Sequence, residues 1–90
     1  MYEMSIKSII SRVNMSFKDF VIFLRSLPKW RNPNFHLSYF EGFYEFICNI
    51  GKRQKEHGET QPVKQFFSGR YKNSEKAIKQ VYDEMIGWLG

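Results

Sequence analysis

The chain has 90 residues with a formal net charge of +5, 42% hydrophobic and 18% aromatic residues, and one cysteine. This much apolar material excludes a disordered tail, the length allows one domain, and a single cysteine excludes an internal disulfide and fits a reducing, cytoplasmic compartment. No apolar run approaches the roughly 18 residues of a membrane span, Met1-Tyr2-Glu3-Met4 does not read as a secretory start, and the positive balance favours polyanions or acidic surfaces as partners.

In chain order, Ile6, Ile9, Ile10 and Val13 fall on one helical face with Ser5 as N-cap, which predicts a first short helix within residues 1–15. Ser16-Phe17-Lys18-Asp19 is a capping-box-like start, and Phe17, Phe20, Val21 and Leu24 repeat the spacing, so a second helix is expected to run until Pro28 stops it. The two prolines and two asparagines between Pro28 and His36 read as a loop carrying Trp30. Ser38-Tyr39-Phe40-Glu41 has the form of another capping box. Phe40, Phe43, Tyr44, Ile47 and Ile50 follow it on one face, so a central third helix is predicted, with Gly51 as its left-handed C-terminal residue.

After the polar run Lys52-Arg53-Gln54-Lys55-Glu56-His57, Pro62 suits the first turn of a fourth helix over Val63 to Phe67, which Gly69 ends. Asn73 or Ser74 then caps a fifth, whose face is Ile78, Val81, Tyr82, Met85 and Leu89. The expectation is an all-α single domain, 1–90, of about five short helices. Phe40, Phe43, Ile47, Val81 and Tyr82 would be in its core.

Ser16-Phe17-Lys18-Asp19-Phe20-Val21, Leu37-Ser38-Tyr39-Phe40, Pro62-Val63-Lys64-Gln65-Phe66-Phe67 and Ala77-Ile78-Lys79-Gln80-Val81-Tyr82, taken in order, resemble the YozE-like family of small bacterial proteins. The resemblance implies a SAM-like helical core over residues 16–89, with residues 1–15 as an added helix, and a binding role. It implies no catalytic residues.

The candidate sites are basic-aromatic. Lys29-Trp30-Arg31 and Arg70-Tyr71-Lys72 set cations on both sides of a ring, an arrangement that suits base stacking with phosphate contacts. Trp30 has a second reading, in which it folds back to close the core. Lys52, Arg53 and Lys55 form a basic run that either contacts phosphates or is a solvated helix end. Glu41 and Glu45 would share a helix face, either as paired carboxylates or with Glu41 serving the cap and Glu45 solvated, and the added helix with Met1, Met4 and Ile9 either packs on the domain or docks a partner.

His36, His57 and Cys48 lack metal-site spacing, and no nucleophile, base and orienting group are assembled, so neither a metal, a cofactor nor catalysis is expected. Phe, Tyr, Met, Ile, Asn and Lys supply 40 residues against 15 for Gly, Ala, Arg and Pro, the bias of an AT-rich genome such as that of a low-GC bacterium or one of its phages or mobile elements. Together these features point to a non-enzymatic accessory protein binding nucleic acid, DNA ahead of RNA, in replication or expression. The competing expectation is a subunit that docks on a larger DNA-processing enzyme.

Overall fold

The computed structural model describes residues 14–90, so the first expected helix lies outside the described residues. The chain proceeds through helix α1 (Phe17–Arg25), a 3-10 turn (Lys29–Arg31), strands β1 (Asn34–Phe40), β2 (Phe43–Gly51) and β3 (Val63–Phe67), and helix α2 (Ser74–Leu89). The strands form one antiparallel sheet in the order β1-β2-β3. The described chain is therefore a three-stranded sheet with two helices, and the all-α, five-helix, SAM-like architecture is overturned.

Both end helices form where their caps announce them. The Ser16 hydroxyl accepts from the Asp19 amide at 3.1 Å, and Asp19 sits in the first turn, where its charge complements the helix N-terminus. α1 stops at Arg25, three residues ahead of Pro28, with the Ser26 and Leu27 amides closing on the Phe23 and Leu24 carbonyls. The Asn73 side chain accepts from the Glu75 and Lys76 amides to start α2, which buries Ile78, Val81, Tyr82 and Met85 as expected.

The expected third helix is instead a hairpin. Glu41 and Gly42 both take positive φ, 51° and 85°, the geometry of a two-residue type I′ turn between antiparallel strands. A helix through this point would carry Gly42 in its interior, at about 1 kcal/mol relative to alanine. A hairpin gives that glycine a use and lets Phe46, Cys48 and Ile50, two residues apart, bury together on one face. The expected fourth helix is β3, and Gly51 is the last residue of β2, with no left-handed backbone.

One sheet face is covered by the helices. Phe20 of α1 meets Phe46 edge-on at 5.0 Å and Phe23 meets Tyr82 of α2 at 4.9 Å. Cys48 lies in register between Phe35 and Phe66, all three turned to the covered side. The Met15 amide donates to the Glu75 carbonyl at 3.1 Å, so the two helices start side by side. Beyond β3, Tyr71 continues along β2, exchanging backbone hydrogen bonds with Tyr44 and donating its hydroxyl to Gln80 at 2.7 Å.

Among the described residues, no helix covers the other sheet face. In place of the expected core, Phe40 is 70% exposed, Phe43 and Ile47 are half-buried on this open face, and only Val81 and Tyr82 of that set are buried. Helical spacing had joined residues of opposite strand parity. Among the described residues, no helix is long and apolar enough to cross a membrane.

Candidate nucleic-acid interface

β2 separates the basic residues into two groups. Its nine residues span about 26 Å at the usual rise per residue. Lys29, Trp30 and Arg31, on the 3-10 turn, pack against its C-terminal end, where Lys52, Arg53 and Lys55 also leave the strand. Arg70, Tyr71 and Lys72 lie at the opposite end beside Tyr44. The structure therefore brings six of the nine candidates together and leaves three apart.

Within the larger group the side chains differ in availability. Arg31 Nη1 donates to the Gly51 carbonyl at 2.8 Å, and its guanidinium carbon lies 4.5 Å from the Trp30 ring centre and 5.5 Å from that of Trp88. One face of the Trp30 indole is thus occupied by this guanidinium, and the indole is half-buried. Arg53 holds Glu59 through two hydrogen bonds, of 2.7 and 3.3 Å, which lower the Glu59 pKa and raise that of Arg53. The Glu56 amide donates to the same carboxylate, and Gln61 donates to the Arg53 carbonyl, so these contacts shape the 52–62 connection. Lys29, Lys52 and Lys55 are exposed and make no ion pair among the described residues.

Charge is unevenly distributed. Among the described residues, the C-terminal end of β2 gathers Lys29, Arg31, Lys52, Arg53, Lys55 and Lys64 against Glu56 and Glu59. At the other end, among the described residues, Arg70, Lys72 and Lys76 are matched by Glu41, Glu45 and Glu75. The lysine-rich end therefore has the positive potential that attracts a polyanion. Next to it, a groove of about 420 Å³ runs between α1 and the 3-10 turn, walled by Val21, Leu24 and Phe35 and rimmed by Arg25 and Lys29.

In the smaller group, Arg70 is exposed, with its guanidinium carbon 5.9 Å from the Phe43 ring centre. Lys72 is exposed, while Tyr71 is half-buried and held at backbone and hydroxyl. Its ring serves the fold. Glu41 is in the hairpin turn and Glu45 in β2, so they share no helix face. His36 is on the open sheet face, His57 in the 52–62 connection and Cys48 in the core; among the described residues, no group of three or more His, Cys, Asp or Glu could hold a metal.

Sequence reasoning missed the open sheet face and Lys64 at the basic end. The signals were present in the alternation through Asn34 to Phe40 and Phe43 to Ile50 and in the Glu41-Gly42 pair between them. No family model, curated protein or solved structure matches the chain, and nothing in those comparisons bears on the YozE-like resemblance.

Proposed function

We propose that the chain is a small non-enzymatic module that binds nucleic acid, holding the phosphate backbone at the C-terminal end of β2. The observation that carries this reading is that, among the described residues, six cations stand there against two carboxylates, with Lys29, Lys52 and Lys55 exposed and unpaired. Phosphate contacts need such free cations, and each releases counterions from the nucleic acid. The loop rings take a different part from the expected one: Trp30 lies under Arg31 and Tyr71 packs into the fold. The composition supports an accessory role in replication or expression on an AT-rich phage or mobile element.

The test is a titration of the full chain with duplex DNA, single-stranded DNA and RNA over about 50–200 mM salt. Log affinity should fall linearly with log salt. Lys52→Ala and Lys55→Ala should each make the slope shallower by about 0.9 on duplex or about 0.7 on single strands. Absence of binding to every probe at about 50 mM salt overturns the reading, leaving the docking subunit of a larger DNA-processing enzyme, with the open sheet face as its contact.

A further inference from the structure

We propose that the open face of the sheet is a stacking platform for the bases of a single-stranded nucleic acid, laid along β2 with its backbone held at both ends. This rests on the phosphate-binding reading and adds a substrate class and a second surface. The face is built in rows by the strand register. At the hairpin end Phe40 faces Phe43; two rows on, His36, Ile47 and Phe67 stand side by side; beyond them come Asn34, Asn49 and Gln65. Phe40 and Phe67 are 70% and 48% exposed, and the two aromatic rows are about 13 Å apart along β2.

The polar and charged groups around these rings favour a nucleic-acid strand. The only carboxylate on the strand positions of this face is Glu45. Arg70 reaches over Phe43 at one end, and Lys52 follows directly on β2 at the other, so cations stand at both ends of the aromatic track. The amides of Asn34, Asn49 and Gln65 offer donors and acceptors that suit base edges, and of these groups only the Asn49 to Asn34 pair is committed internally, at 3.0 Å. A duplex cannot use such rings because its bases are already stacked. Unpaired bases can, whatever their identity, since each presents a π face.

The experiment uses the full chain with single-stranded RNA and single-stranded DNA oligonucleotides of about 12 nucleotides, and with a duplex of the same length. Phe40→Ser and Phe67→Ser replace exposed rings, and thermal melts check that both variants stay folded. Each should weaken single-strand binding by about 5- to 150-fold for each base unstacked, with the salt slope and duplex binding unchanged. Phe40→Trp, which restores a ring, should retain affinity. Preference for the RNA or the DNA strand identifies the natural source, and either supports the platform.

Folded serine variants that change single-strand affinity by less than about twofold overturn the platform. If Lys52→Ala still lowers the salt slope in that case, the phosphate-binding reading stands without it. The platform also fails if the serine variants keep single-strand affinity but dissociate a dimer or release a co-purified protein, which would make the face a protein interface.

Discussion

Arg31 donates to the Gly51 carbonyl at 2.8 Å, and its backbone lies so close to that glycine that a Cβ on residue 51 would stand 3.1 Å from the Arg31 Cα. The added carbon would also lie 3.2 Å from the Trp30 carbonyl oxygen and 2.9 Å from Gln61 Nε2. The Gln61 amide can swing away, but the two backbone atoms cannot, so the 3-10 turn must lift from the strand. Gly51→Ala should cost about 1–3 kcal/mol, read as a lower urea midpoint at unchanged slope. A variant as stable as the parent would show that the turn is not seated on β2.

The same contact separates Arg31 from its lysine neighbours. With its guanidinium committed to Gly51 and flanked by two indoles, Arg31→Ala should lower stability by about 1–3 kcal/mol. Under conditions where the variant is folded, the salt slope of nucleic-acid binding should change less than in Lys52→Ala. Equal loss of slope in the two variants would make Arg31 a phosphate contact despite its hydrogen bond to Gly51.

Phe46 and Phe40 belong to the same hairpin but face opposite sides of the sheet. Phe46 is fully buried against Phe20, and Phe46→Ala should cost about 3–5 kcal/mol, a large share of the roughly 5–10 kcal/mol expected of a domain this size. Phe40→Ala, at an exposed position, should stay within about 0.5 kcal/mol of the parent. Chemical denaturation of the pair measures the difference. Similar losses in both would contradict the assigned strand parity.

What could be read from the sequence follows this parity. The two helices were legible because Ser16 and Asn73 are caps with a mechanism, and because no competing period fits Ile78 to Met85. Residues 40–50 satisfy both periods: Phe40, Phe43, Ile47 and Ile50 match a helix, while Phe46, Cys48 and Ile50 match a strand. Burial in the sheet decided between them, because the strand period brings Phe46, Cys48 and Ile50 under two helices at once. For the site, local charge was legible as clusters, but which clusters meet was not. The distance between Lys52 and Lys72 depends on β2 holding its two ends apart, and a helix over the same residues would have been about half as long.

Glu41 occupies a left-handed position, φ 51°, in the hairpin turn, where only glycine, asparagine and aspartate are at ease. Glu41→Asn creates the favoured Asn-Gly pair and should stabilise the protein by about 0.5–1 kcal/mol, raising the melting temperature by about 2–8 °C. Gly42→Ala, at φ 85°, should have the opposite effect, with a cost of about 1–2 kcal/mol even though no atom lies within 4 Å of the added carbon. Calorimetry on the two variants tests the turn type. No opposition between them would exclude the type I′ assignment.

Cys48 makes stability depend on pH in the alkaline range. Burial beneath the helices disfavours the thiolate and pushes the folded-state pKa from 9.0 up to about 12. The unfolded chain therefore loses this proton first, and its ionisation favours unfolding. The contribution is fully present below about pH 9 and is lost as pH rises toward about 12, at roughly 1 kcal/mol per pH unit in between. Tyr82, whose pKa burial and then Asp83 also raise, acts in the same direction, but it is common to the parent and a Cys48→Ala variant and cancels in their difference. At about pH 8 the variant should be the less stable by about 1 kcal/mol for the lost packing. By about pH 10.5 that gap should close or reverse, because only the parent carries the thiol penalty. Urea unfolding of both proteins at the two pH values reads the difference directly; parallel pH dependences would mean that the thiol reaches solvent in the folded state, and thiol reagents would then label Cys48 without prior unfolding.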